Sequence, residues 1–124
     1  MKVFLVEDSP PVLERLTAML GLIPRASVIG HAITVDAAIR DILSIKPDLV
    51  VLDLHLAGGS GFDVLSAVHE REPGIDVYML SNFASEPYRR QAERLGALGF
   101  FDKSSEFELV RDAVAKRASG QQGQ

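Results

Sequence analysis

The chain of 124 residues contains no cysteine, so it can build neither a disulfide framework nor a thiolate metal site. It also lacks long apolar runs; its hydrophobic stretches last a few residues, far short of the roughly 20 that span a bilayer. Its start carries no secretory pattern, because Lys2 leads into a strand-length run and then into the acids Glu7 and Asp8. There is no positive excess, and a net charge of −4 argues against a broad nucleic-acid footprint on the domain itself. These absences together point to a cytoplasmic protein with no membrane association and no direct nucleic-acid binding. What remains is a 47% hydrophobic composition on a length that suits one domain with a real core and is too short for two.

Apolar runs of strand length alternate with helix-period segments. Val3 to Val6 reads as a buried strand, and Ser9-Pro10-Pro11 starts a helix with Ser9 as N-cap and proline in the first turn. Val12, Leu13, Leu16, Leu20 and Ile23 recur at helical spacing, and Ser27 to Ala32 is a weaker edge strand. A second helix, marked by Ala38, Ile39, Ile42 and Leu43, ends at Lys46-Pro47. Leu49 to Leu52 is apolar on both faces, as a central parallel strand should be. The loop Gly58-Gly59-Ser60-Gly61 reads as a flexible turn, since it lacks the lysine of a P-loop and the Rossmann spacing. A third helix carries Phe62, Leu65 and Val68 and stops at Pro73-Gly74, and Asp76 to Leu80 forms the fourth strand. The fourth helix starts at Ser85-Glu86-Pro87, has thin apolar content and closes at Gly96. Leu98 to Phe101 is a short fifth strand, and Ser105 with Glu108 predicts a capping box for the last helix. The domain is assigned to residues 1–118, with 119–124 a polar, disordered tail.

Five βα units in succession predict an α/β fold with a parallel sheet covered by helices on both faces. Right-handed crossovers make the sheet doubly wound, with order 2-1-3-4-5 the natural choice. Ligands of such sheets bind at the carboxyl ends of the strands, near the switch point between strands 1 and 3. Glu7-Asp8 and Asp53 sit at those two ends.

Two carboxylates about 4 Å apart repel by roughly 4 kcal/mol at an effective dielectric near 20, so such a cluster asks for a cation or a proton. An open, all-oxygen site suits Mg²⁺, with Asp8 and Asp53 as direct ligands and Glu7 acting through a water. Lys103 follows the fifth strand and Ser81 ends the fourth, which brings an amine and a hydroxyl to the same rim. Metal, amine and hydroxyl together could hold the outer oxygens of a phosphoryl group while the Asp53 carboxylate attacks it to form an acyl phosphate.

This pattern resembles the receiver domain of bacterial two-component response regulators, a flavodoxin-like fold, across residues 2–118. The resemblance rests on the acidic pair in "VEDS", on "VVLDLHL" with its aspartate, on "YMLS" and on "GFFDKS", with 22 residues from Ser81 to Lys103. It implies that Asp53 is the phosphoacceptor, Glu7 and Asp8 the metal acids, Ser81 the phosphoryl-contacting hydroxyl and Lys103 the phosphate-binding lysine. It further implies that the backbone carbonyl of His55 ligates Mg²⁺ and that Phe100 is an aromatic switch. The resemblance also implies that His55 and Phe83 take rim positions that, in this family, influence loss of the phosphoryl group. Three positions depart from the family: Ala57 and Ser104 replace prolines, and Asn82 replaces a small residue beside the switch hydroxyl.

The implied function is a phosphorylation-controlled signalling switch that catalyses only its own phosphorylation and dephosphorylation. A histidine kinase or phosphotransfer protein is the donor. Output passes to a downstream protein, or to self-association, through the face made by the fourth helix, fifth strand and fifth helix. Alternatives are the N-terminal receiver of a longer DNA-binding transcriptional regulator, a phosphorylation-independent adaptor and a hydrolase with Asp53 as transient nucleophile.

Overall fold

A computed structural model describes residues 1–120. The elements are β1 (Lys2–Val6), α1 (Pro10–Gly21), β2 (Ser27–Ala32), α2 (Val35–Ile45), β3 (Leu49–Leu52), β4 (His55–Leu56) and β5 (Gly59–Ser60). They continue as α3 (Gly61–Arg71), β6 (Asp76–Ser81), α4 (Glu86–Arg94), β7 (Gly99–Asp102) and α5 (Phe107–Ala118). The main sheet runs β2-β1-β3-β6-β7, every pairing parallel, which is the order 2-1-3-4-5 expected from the crossovers. Among the described residues the fold is flavodoxin-like, with five helices around one five-stranded parallel sheet.

Strand periodicity divides the core. Val3 and Leu5 of β1 face α1 and α5, where they meet Leu16, Leu20, Phe107, Val110 and Val114. Phe4 and Val6 point the other way, toward Ala38 and Ile42 of α2, Val64, Leu65 and Val68 of α3, and Ala92 of α4. Each fully buried Leu or Val side chain contributes about 1.5–3 kcal/mol. That is why β1 and β3, with apolar residues on both faces, sit at the centre of the sheet.

Several local details differ from the sequence expectation. Ser9 is the N-cap residue of α1, but its hydroxyl makes no capping bond; its backbone N–H instead donates to Glu7 Oε2 at 3.1 Å. The Ser105–Glu108 box does not form. Helix α5 begins at Phe107 behind Glu106, whose carboxylate takes the Asp102 amide at 2.9 Å and so fixes the corner one residue later. The real box lies in the glycine-rich loop, which is a two-strand hairpin rather than a loose turn. Ser60 Oγ accepts from Phe62 N at 3.0 Å, and Asp63 Oδ2 accepts from Ser60 N at 3.3 Å. Gly96 follows the α4 C-cap with φ +106°, where a Cβ would also strike the His69 ring at 2.6 Å. Ser119 closes α5, its N–H bonding Ala115 O at 3.1 Å, and residues 121–124 of the expected polar tail lie outside the described residues.

Candidate functional site

The sheet delivers the polar residues to one edge and locks their backbones there. Parallel ladder bonds continue one residue past each strand: Glu7 N donates to Ala32 O at 3.1 Å, Asp53 N to Val6 O at 2.9 Å and Lys103 N to Ser81 O at 2.9 Å. Main-chain freedom is therefore spent before any side chain is asked to act. Gly61 seals the floor. Its N–H donates to Leu54 O at 2.6 Å, and a Cβ there would lie 2.1 Å from the Asp53 carbonyl oxygen. Only glycine permits the α3 N-terminus to approach the Asp53 backbone so closely.

Lys103 is the hub of the side chains. Its Nζ lies 2.8 Å from Glu7 Oε1 and 3.1 Å from Asp53 Oδ2, while the second Glu7 oxygen takes the Ser9 amide. Glu7 and Asp53 are buried, at 1% and 7% exposure, and Asp8 is open to solvent. Burial pushes the Glu7 carboxyl above its ordinary range, and the neighbouring Asp53 charge adds to this against the opposing pull of Lys103. For Lys103, burial works against the charge, but the hydrogen bond to Glu7 and the Asp53 charge together outweigh it and hold the ammonium protonated. Among the described residues, Glu7, Asp8 and Asp53 are the group able to gather ligand atoms, with carboxylate oxygens within 4.8 Å of one another. Two carboxylates paired with one ammonium, and the Asp8 carboxylate beside them, make an oxygen donor set that fits a hard divalent cation.

The remaining expected residues frame this centre. Ser81 is fully buried at the end of β6, and its Oγ accepts from Phe83 N at 3.0 Å. Phe100 is half-buried on β7, paired with Met79 in register. His55 is exposed, and its ring meets Phe83 edge-on at 4.3 Å; Phe83 in turn meets Tyr88 at 6.1 Å. Asn82 and Ala57 are exposed. Ser104 makes a turn of its own, donating to Asp102 Oδ1 from its N–H at 2.8 Å and from its hydroxyl at 2.6 Å.

Two participants escaped the sequence reading. Gly61 was hidden in a loop whose four small residues look interchangeable. Arg89 was one arginine among several on a polar helix, and its role depends on partners in three other segments.

Comparison with known proteins agrees with this geometry. The chain is 33% identical over 125 residues to a protein-glutamate methylesterase/protein-glutamine glutaminase of Geobacter sulfurreducens, covering 97% of this chain and 33% of that one. It is 32% identical over 112 residues to the DNA-binding transcriptional activator DevR/DosR of Mycobacterium tuberculosis, covering 90% and 52%. The chain thus spans about a third to a half of the length of these curated relatives. Among solved structures, the signal receiver domain of the putative response regulator NarL of M. tuberculosis superposes with a TM-score of 0.86 at 30% identity, covering 96% of each chain. No described helix is long and apolar enough to cross a membrane. With residues 3–115 matching the response regulator receiver domain, and its acids and lysine gathered at the carboxyl edge of a 2-1-3-4-5 sheet, the chain belongs to that family of signalling domains.

Proposed function

We propose that residues 1–118 form a cytoplasmic phosphorylation-controlled switch in which Asp53 is the phosphoacceptor. The observation that carries this reading is the buried Asp53 carboxylate at the end of β3, with Lys103 Nζ at 3.1 Å and the Glu7 and Asp8 oxygens beside it. A carboxylate oxygen of Asp53 attacks the phosphorus of a phosphohistidine on a histidine kinase or phosphotransfer protein. The P–N bond breaks, its electron pair stays on the departing imidazole, and a mixed anhydride forms on Asp53. A Mg²⁺ ion held by Glu7, Asp8, Asp53 and the His55 carbonyl would supply charge neutralisation for the phosphoryl oxygens. Lys103 counters the remaining negative charge, and its ties to Glu7 and Asp53 keep its ammonium over the acceptor. The Ser81 hydroxyl closes on the phosphoryl group, and Phe100 rotates into the space it leaves. That motion carries the state of the site to the α4–β7–α5 face, where a downstream protein or a second copy reads it.

Incubation with acetyl phosphate and Mg²⁺, followed by intact mass measurement, tests the assignment. One phosphoryl group on the wild-type chain and none on Asp53→Ala is expected; labelling of Asp53→Ala at the wild-type rate would overturn it. More than one turnover on an exogenous phosphate ester would favour a hydrolase.

A second reading concerns output. Because the chain covers only 52% of a DNA-binding activator that it resembles at 32% identity, it also fits the N-terminal receiver of a longer DNA-binding regulator.

A further inference from the structure

Helix α4 is anchored in an unusual way. Of its residues only Ala92 is buried, whereas α3 buries Gly61, Val64, Leu65 and Val68. A guanidinium does what apolar packing does elsewhere. Arg89 donates from Nε to Ala84 O at 2.8 Å, from Nη1 to Phe100 O at 2.8 Å and from Nη2 to Glu106 Oε1 at 2.9 Å. Its guanidinium carbon lies 5.3 Å from the centre of the Phe100 ring, within cation–π range. The same Glu106 oxygen takes the Asp102 N–H at 2.9 Å, so the fork also grips the β7–α5 corner.

The partners of this fork are all close in sequence to the site. Ala84 lies three residues after Ser81 and Glu106 three after Lys103, while Phe100 lies three before Lys103. Ser81 Oγ is tied to Phe83 N at 3.0 Å, one residue from the carbonyl that Arg89 holds. A rigid planar fork reaches three acceptors only while they keep one mutual arrangement. Inward travel of Ser81 draws on the loop, and rotation of Phe100 takes its ring from beside the guanidinium; either change spoils the fit.

We infer that Arg89 is a positioning residue that clasps the Ser81–Ala84 loop, Phe100 and the start of α5 in the unphosphorylated arrangement, so that filling the Asp53 site works against the clasp. This rests on Asp53 being the phosphoacceptor. A ligand shifts a two-state element only by its differential affinity, so each bond of the clasp that the switched state breaks is subtracted from the affinity of a phosphoryl-like group. The clasp is about one-third in solvent, with side-chain exposures of 33% for Arg89 and 32% for Glu106, which makes its effect modest and reversible.

Beryllofluoride with Mg²⁺, a stable phosphoryl mimic, reads the effect at equilibrium. Arg89→Ala should bind it about three- to tenfold more tightly than wild type, the range set by one partly exposed ion pair and two charge-assisted hydrogen bonds. In the same samples amide exchange over residues 81–94 should quicken while that of α3 stays put. Glu106→Gln should move affinity the same way by less, and adding it to Arg89→Ala should add little, since both act on one clasp. Arg89→Lys should fall between, because an ammonium keeps the charge but cannot span three acceptors. Faster α4 exchange with wild-type or weaker beryllofluoride affinity in Arg89→Ala would reduce Arg89 to a structural prop and overturn the inference. Were that variant to misfold, Arg89→Lys and Glu106→Gln carry the comparison, and unchanged affinity in both overturns it equally. Failure of the phosphoacceptor reading looks different: the wild-type chain itself would then neither bind beryllofluoride nor take a phosphoryl group.

Discussion

Helices α3 and α4 pack on the same face of the sheet, yet they are held by opposite physics. Helix α3 drives Val64, Leu65 and Val68 into the core and closes its first turn with the Ser60–Asp63 box. Helix α4 offers the core only Ala92 and is fastened by hydrogen bonds from Arg89 to groups near the surface. Apolar burial is non-directional and grows with area, so any release of such a helix costs in proportion to the surface it exposes. A polar fork is weak and directional, and it can open without exposing a core. The first arrangement suits a helix whose N-terminus braces the Asp53 backbone. The second suits an element that the proposed switch would move.

The contrast can be broken most easily through the core. Leu65→Ala, at a position with 0% exposure, should lower the global unfolding free energy by about 2–5 kcal/mol in a denaturant titration. Arg89→Ala should cost far less by that measure; an equal loss from the two variants would abolish the distinction between core-held and fork-held helices. A smaller effect is expected at the cap. Ser60→Ala removes the acceptor for Phe62 N and should cost about 0.5–2 kcal/mol, with fraying confined to the first turn of α3.

The smallest effect is a pH dependence. The Asp102 amide, and next the Arg89 guanidinium, hold the Glu106 carboxyl below the ordinary glutamate value of 4.5. A depressed folded-state value means the stabilisation is fully present above 4.5 and is lost as pH falls below it, through the folded-state value. Amide protection factors of α4 should therefore drop relative to those of α3 as the pH is lowered past that point. Glu106→Gln should flatten the difference, because the amide that replaces the Glu106 carboxyl does not ionise. A drop of the same size in Glu106→Gln would place the sensitivity elsewhere.

Most of the fold was legible because its determinants are local. Runs such as Leu49–Leu52, punctuated by proline, glycine and capping residues, declare buried parallel strands without reference to anything distant. The gathering of Glu7, Asp8, Asp53 and Lys103 was legible for a related reason: a parallel sheet places every strand's carboxyl end on one edge, so strand-end chemistry converges by topology. Local reading failed where two local options competed. Ser105 and Glu108 have the spacing of a capping box, but Glu106 between them finds the Asp102 amide and Arg89, and the corner closes around that instead. Ser60 and Asp63 have the same spacing and do form a box, yet the glycines around them suggested only looseness.

By itself the sequence determined strand and helix periodicity, the charge of the site and the edge on which it gathers, since each follows from residue type and short spacing. Tertiary structure alone decided which groups touch. Lys103 reaches Glu7 and Asp53 across separations of 96 and 50 residues, and Arg89 meets acceptors at 5, 11 and 17 residues' distance in three directions. No pattern in the chain encodes those pairings, because they exist only once the sheet and both helix layers have fixed the positions of their backbones.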